Sequence, residues 1–136
     1  MIVVDTNVIV RLWVLGEGTE LSKQILLKDP DWHVPVLWRS EFRNVLALYI
    51  RAKRISLDLA LRVCGEAEIP LKDKEHFVPY ESVLRLAEES DCTAYDCEFV
   101  ALAQELRVPL ITADKKIIKA FPRNAVGIET YLKFNG

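Results

Sequence analysis

The feature that most narrows the possible folds is an alternation. Short apolar runs of strand length are separated, along the whole chain, by stretches whose apolar residues recur every three to four positions. Strands joined through helices pair side by side in parallel, so the pattern predicts an α/β domain with a mostly parallel central sheet. Residues 1–4 read as a short buried strand and 6–14 as a helix begun by a capping hydroxyl. Gly16 and Gly18 break that helix, and Leu21, Ile25 and Leu26 set the stripe of the next. Residues 32–34 suit a second strand, and Pro35 suits the first turn of a long helix running to about Lys53. Further helices are predicted over 57–67, from Pro79 to Glu88, over 93–106 and over 115–120. Strands are predicted over 108–112 and 125–128.

The 136 residues predict a single domain, 1–136, with one full core and no room for a second. A hydrophobic fraction of 51% beside 28% charged residues excludes disorder and low complexity. No apolar run approaches the roughly 20 residues of a membrane span, so no membrane partner is expected. The first residues lack the basic region and cleavage site of a signal peptide. Three cysteines at unrelated spacings make no disulfide framework, which points to a reduced, cytoplasmic setting. Cys64, Cys92 and Cys97 are read as small buried side chains; the last two, five apart on a helix, would lie too far round it to pair. With 18 basic against 20 acidic residues, nucleic acid is not bound by bulk positive charge.

What stands out is where particular carboxylates fall. Asp5 directly follows the first strand, and Asp114 directly follows Leu110-Ile111-Thr112-Ala113. Ligand crevices of parallel sheets lie at the carboxyl ends of strands, so both acids point toward one edge of the domain. Each also makes a good helix N-cap, the plainer explanation. Glu41 shares a helix face with Leu37, Trp38, Val45 and Leu48, where a lone buried carboxylate costs several kcal/mol. Its plainer explanation is a place beside the stripe, paired with a base. Asp96 lies below Val100 and Ala103, and Thr93-Ala94-Tyr95-Asp96 also fits a capping box. Gathered together, four such acids repel one another unless a divalent cation sits among them, and oxygen-only ligands suit Mg²⁺ or Mn²⁺. That chemistry suggests hydrolysis or transfer at phosphorus.

The stretches Ile2-Val3-Val4-Asp5-Thr6-Asn7, Ser40-Glu41, Thr93-Ala94-Tyr95-Asp96 with Val100-Ala101-Leu102-Ala103, and Ile111-Thr112-Ala113-Asp114 resemble, in that order, the PIN-domain ribonucleases. The likeness is greatest to the VapC-type toxins of prokaryotic toxin–antitoxin pairs. It implies a three-layer α/β/α sandwich, usually built into homodimers, that cleaves RNA endonucleolytically. It also implies that Asp5, Glu41, Asp96 and Asp114 are the catalytic acids that bind Mg²⁺ or Mn²⁺, supported by Thr6, Asn7 and Thr112. The implied partner is a small VapB-like antitoxin whose tail lies across the active site. Asp91, an extra acid nearby, reads as a loop or capping carboxylate.

Two basic groups flank the acids in sequence: Lys115, Lys116, Lys119 and Arg123, then Arg39, Arg43, Arg51, Lys53 and Arg54. Either could hold an RNA backbone or simply be solvated, and Lys115 and Lys116 are the preferred phosphate contacts. Trp13, Trp32 and Trp38 read as packing residues, and His33 and His76 as structural. The competing functions are a PIN-like binding domain without catalysis, a housekeeping RNA-processing nuclease, and a receiver- or dehalogenase-like phosphoryl-transfer domain. The last would want a second Asp two residues after Asp5, where Asn7 stands.

Overall fold

In the computed structural model, which describes residues 1–134, the sheet grows outward from its most apolar strand. β1 (Ile2–Val4) is buried along its whole length and pairs in parallel with β2 (Trp32–Pro35) on one side and β4 (Leu110–Thr112) on the other. β3 (Glu75–His76) lies beyond β2 and β5 (Ala125–Gly127) beyond β4, so the order is β3-β2-β1-β4-β5 with every pairing parallel. The chain therefore fills one half of the sheet, returns to the centre, and fills the other. Right-handed crossovers running in opposite directions put their helices on opposite faces.

One layer holds α1 (Thr6–Trp13), α2 (Thr19–Lys28), α3 (Trp38–Arg51) and α4 (Leu57–Glu68), which pack on one another; α8 (Ile128–Lys133) joins them against α2. The other layer is led by the pair α5 (Tyr80–Glu88) and α6 (Ala94–Leu106), with α6 lying across β1, β2 and β4. α7 (Lys115–Ala120) crosses from β4 to β5. This is the parallel-sheet α/β domain that the alternating pattern predicts and the α/β/α sandwich that the family resemblance implies. Phe99, Val100 and Leu102 of α6 belong with Val3, Val4, Leu110 and Ile111 of the sheet to one core with almost no exposure. Trp38 and Trp32 are buried in it, as packing residues should be.

Several local expectations need correcting. Pro35 ends β2, opposite His76, and does not begin the helix, which starts at Trp38. Lacking an N–H, a proline suits a strand's last position as well as a helix's first turn, so the residue type alone did not decide. The buried stripe of α3 is Trp38, Phe42 and Leu46, one residue round from the face containing Leu48, which is 52% exposed. β3 has two residues and α8 follows β5 without a break, lengths at which periodicity carries no signal. Cys92 precedes α6 and is not part of it, so the angular argument against its nearness to Cys97 does not apply; Cys64 is only half-buried. His33 and His76 have a partner after all: they share a 2.8 Å hydrogen bond across β2 and β3. His33 continues the chain to Asp31 at 2.9 Å, and Lys74 donates to Asp31 at 2.6 Å.

α6 ends at Arg107, whose φ of 58° and ψ of 44° place it in the left-handed region. Its N–H donates to the Gln104 carbonyl and that of Val108 to the Ala103 carbonyl, at 3.2 and 3.1 Å. A glycine adopts that conformation without the Cβ penalty. Arg107→Gly should therefore raise stability by about 0.5–1 kcal/mol, seen as a higher urea midpoint at unchanged slope. Phe99→Ala, by contrast, should cost about 3–5 kcal/mol, because the side chain is wholly enclosed.

Candidate active site

The strand order reverses direction between β1 and β4, and a parallel sheet opens a crevice at such a point, beyond the carboxyl ends of the two strands. Asp5 and Asp114 sit at those ends. Both are also helix N-caps, as the plainer reading had it. Asp114 Oδ1 accepts from the Lys116 N–H at 2.9 Å, and Asp5 Oδ1 from the Thr6 N–H at 2.8 Å. In Asp5 the capping bond uses one oxygen and leaves the other facing the crevice.

That second oxygen is held from β4 and from the first turn of α1. The Thr112 hydroxyl donates to Asp5 Oδ2 at 2.7 Å, and the Asn7 amide nitrogen donates to the same atom at 3.3 Å. Thr112 Oγ1 in turn accepts from the Asp114 N–H at 3.0 Å, and Asn7 Oδ1 accepts from the Ala113 N–H at 3.1 Å. Thr112 and Asn7 thus staple the ends of β1 and β4 and fix the Asp5 carboxylate between them.

Glu41, in the first turn of α3, sits beside the buried stripe and is half-buried. Its expected basic partner is absent: Oε1 accepts from the Thr6 hydroxyl at 2.7 Å, and among the described residues it joins no ion pair. Asp96 is in the first turn of α6, where its N–H donates to Thr93 Oγ1 at 3.0 Å. The reciprocal bond of a full capping box is not made among the described residues. The Asp96 carboxylate is therefore free to face the crevice.

The four acids feel one another. Burial pushes Asp5 up to about 6, with the charges of Asp96 and Asp114 adding to the rise and the Thr112 and Thr6 bonds opposing it. Burial likewise pushes Glu41 to about 7, helped by Asp5, Asp96 and Glu98. None of the four has a basic partner among the described ion pairs. Hard, uncompensated oxygen donors of this kind fit a divalent cation such as Mg²⁺ or Mn²⁺. Among the described residues no three His, Cys, Asp or Glu side chains converge closely enough to enclose an ion directly. Mg²⁺ needs no such cage, because it keeps several waters and takes one or two carboxylates.

Glu98, half-buried on α6 and raised by burial, is a further acid near Glu41 that the sequence reading passed over. Its helix neighbours Ala94, Tyr95, Ala101 and Leu102 carry the same signal that marked Glu41. Lys115 and Lys116 are exposed just beyond Asp114. Arg39 and Arg43 are already engaged elsewhere. Arg39 binds Glu75 through two bonds of 2.6 and 2.7 Å, and Arg43 meets Glu68 at 3.2 Å.

Ionising Asp5 or Glu41 is harder in the folded chain than in the unfolded one. Metal-free stability should therefore fall as pH rises from about 4 to about 7, through the window between the ordinary and the raised values. In chelator the melting temperature at pH 5.5 should exceed that at pH 7.5, and Asp5→Asn together with Glu41→Gln should flatten the difference. Adding Mg²⁺ should stabilise the wild type more at pH 7.5 than at pH 5.5.

A family model described as PIN domain matches residues 2–123. Ribonuclease VapC3 of Pyrobaculum aerophilum is 27% identical over 124 residues, covering 89% of this chain and 95% of its own. Among solved structures, PAE2754 of the same organism superposes with a TM-score of 0.76 at 22% identity, covering 96% of this chain and 92% of that one. FitAcB of Neisseria gonorrhoeae gives 0.74 at 18% identity, with 95% and 99% covered. A toxin–antitoxin complex of Klebsiella pneumoniae gives 0.64 at 19% identity, with 94% and 98% covered. With its sheet order, its crevice acids and a family match over almost all its length, the chain belongs to the PIN-domain family.

Proposed function

We propose that this chain is a single-domain, Mg²⁺- or Mn²⁺-dependent endoribonuclease that works as the toxin of a cytoplasmic toxin–antitoxin pair. The observation that carries the reading is the set of four unpaired carboxylates, from β1, α3, α6 and the end of β4, whose charges act on one another at the sheet's switch point. The name of the Pyrobaculum relative supports the ribonuclease activity, and the Klebsiella toxin–antitoxin complex supports an antitoxin partner. A VapB-like protein is the partner expected, with the toxin itself a homodimer. Among the described residues no helix is long and apolar enough to cross a membrane.

In this reading Asp5, Glu41, Asp96 and Asp114 hold the cation. When bound, it offsets their charge, draws phosphate oxygens to the crevice and lowers the pKa of a water molecule. Thr112, Asn7 and the Thr6 N–H keep Asp5 oriented. The Thr6 hydroxyl keeps Glu41 turned toward Asp5, and the Thr93 cap fixes the first turn of α6, which carries Asp96. Glu41, turned toward Asp5 by the Thr6 hydroxyl, would accept the proton of the attacking water. The water oxygen joins phosphorus, the P–O3′ bond breaks, and the departing 3′ oxygen takes a proton. The products are a 5′-phosphate and a 3′-hydroxyl, with no covalent enzyme intermediate.

That no three acids converge directly among the described residues favours one other reading, a PIN-like domain that binds without cutting. One assay separates the two. Purified protein should cleave RNA with Mg²⁺ or Mn²⁺ and stop in EDTA. Asp5→Asn and Asp96→Asn should each slow cleavage by at least about a hundredfold, while circular dichroism shows an intact fold. Cleavage at the wild-type rate by either variant, or undiminished in EDTA, overturns the nuclease reading.

A further inference from the structure

Four of the nine arginines have a carboxylate partner among the described residues, and four of the other five, Arg51, Arg54, Arg107 and Arg123, are exposed. Arg39 has Glu75 and Glu68, Arg43 has Glu68, Arg62 has Glu66 and Arg85 has Glu81. Arg11, in the last turn of α1, has none among the described residues and is nevertheless half-buried. Its stem is held in place by Gly18. A Cβ added there would lie 2.5 Å from Arg11 Cδ, 2.8 Å from Cγ and 3.1 Å from Nε. Gly18 itself has φ −88° and ψ −1°, a conformation open to any residue. A side chain at this position would therefore meet no backbone strain but would have to displace the arginine.

Arg11 also occupies a particular place. It lines a cleft of about 360 Å³ together with Thr112, Ala113 and Lys115, so this cleft starts beside the acid set. It lines a second cleft, of about 510 Å³, whose far wall carries Tyr49 and Arg54. Arg11, Leu21 and Glu129 belong to both. The two clefts therefore meet at Arg11, and the smaller one is lined by Thr112, Ala113 and Lys115, the chain neighbours of Asp114. Glu129 on the shared wall is exposed and pairs with no base among the described residues, so it leaves the arginine's donors open. A guanidinium withheld from carboxylates and fixed by packing is suited to take an anionic oxygen pair in its planar fork.

We infer that Arg11 is a substrate-positioning residue that binds a backbone phosphate of the RNA strand on the β4 side of the acid set, with Gly18 as the platform that aims it. The inference rests on the ribonuclease reading and adds the route by which the substrate leaves the crevice. Phosphate contacts of this kind set register and affinity without reading sequence.

The test uses a labelled single-stranded RNA of mixed sequence. In otherwise wild-type protein with Mg²⁺ or Mn²⁺, Arg11→Gln should raise KM about tenfold and leave kcat within about twofold. In the Asp96→Asn background, where the RNA stays intact, Arg11→Gln should weaken binding about tenfold. It should also reduce the slope of log K against log salt by about 0.7, the loss of one phosphate contact to a single strand. Gly18→Ala keeps the charge and displaces it, and should weaken binding about threefold with a native-like melting curve. Arg85→Gln, on α5 and already paired, should bind as the parent does.

Binding by Arg11→Gln equal to that of the parent overturns the assignment, as does an equal loss in Arg85→Gln, which would make the effect one of bulk charge. Unchanged binding by Gly18→Ala removes the platform. If the wild type cleaves no RNA with either metal, the ribonuclease reading itself fails and takes this one with it. That outcome is distinct from an active enzyme indifferent to Arg11.

Discussion

The site hangs on one hydrogen bond between parallel strands, from the Thr112 hydroxyl to Asp5 Oδ2. A carboxylate enclosed to this degree, 7% exposed, costs more than a cap returns unless its oxygens are met. Thr112 meets one of them from the neighbouring strand and is itself saturated by the Asp114 N–H. The bond is possible because β1 and β4 are neighbours although about a hundred residues separate them, and they are neighbours because the chain returns to the centre before filling the second half of the sheet. Topology thus comes first: the reversal puts two strand ends side by side, and the threonine turns that proximity into a fixed carboxylate.

From there the electrostatics follow. Thr6 follows Asp5 in the chain and reaches across to Glu41 with its hydroxyl, so two adjacent residues orient two acids on different elements. Both acids are held away from bases, whereas Glu75 elsewhere is matched closely in its bidentate pair with Arg39. The raised proton affinities of Asp5 and Glu41 are the cost of this arrangement, borne by the fold. Such strain at a crevice is typical of sites where charge is to be supplied from outside.

The sequence exposed those parts of the structure that obey a period or a boundary rule. The alternation of runs predicted the parallel sheet, and Asp5 and Asp114 were visible because an acid right after a buried strand has few places to point. Glu41 was visible as a charge beside an apolar stripe, although the stripe itself was assigned one residue off, along Val45 where the buried line runs through Phe42 and Leu46. What escaped had no local signature. β3 is too short for a period, Pro35 suits two element types, and His33 and His76 are partners only through the register of β2 on β3. Arg11 was hidden for a similar reason. An arginine near a helix end is ordinary in a string of letters, and only the contact with Gly18 and the lack of an acid set it apart.

The brevity of the outer strands has a consequence of its own. One margin of the sheet offers two residues of ladder and the other three, and the latter run straight into a helix. That is too little open backbone to template a neighbouring chain, so the sheet is shielded from the edge-to-edge stacking that seeds fibrils.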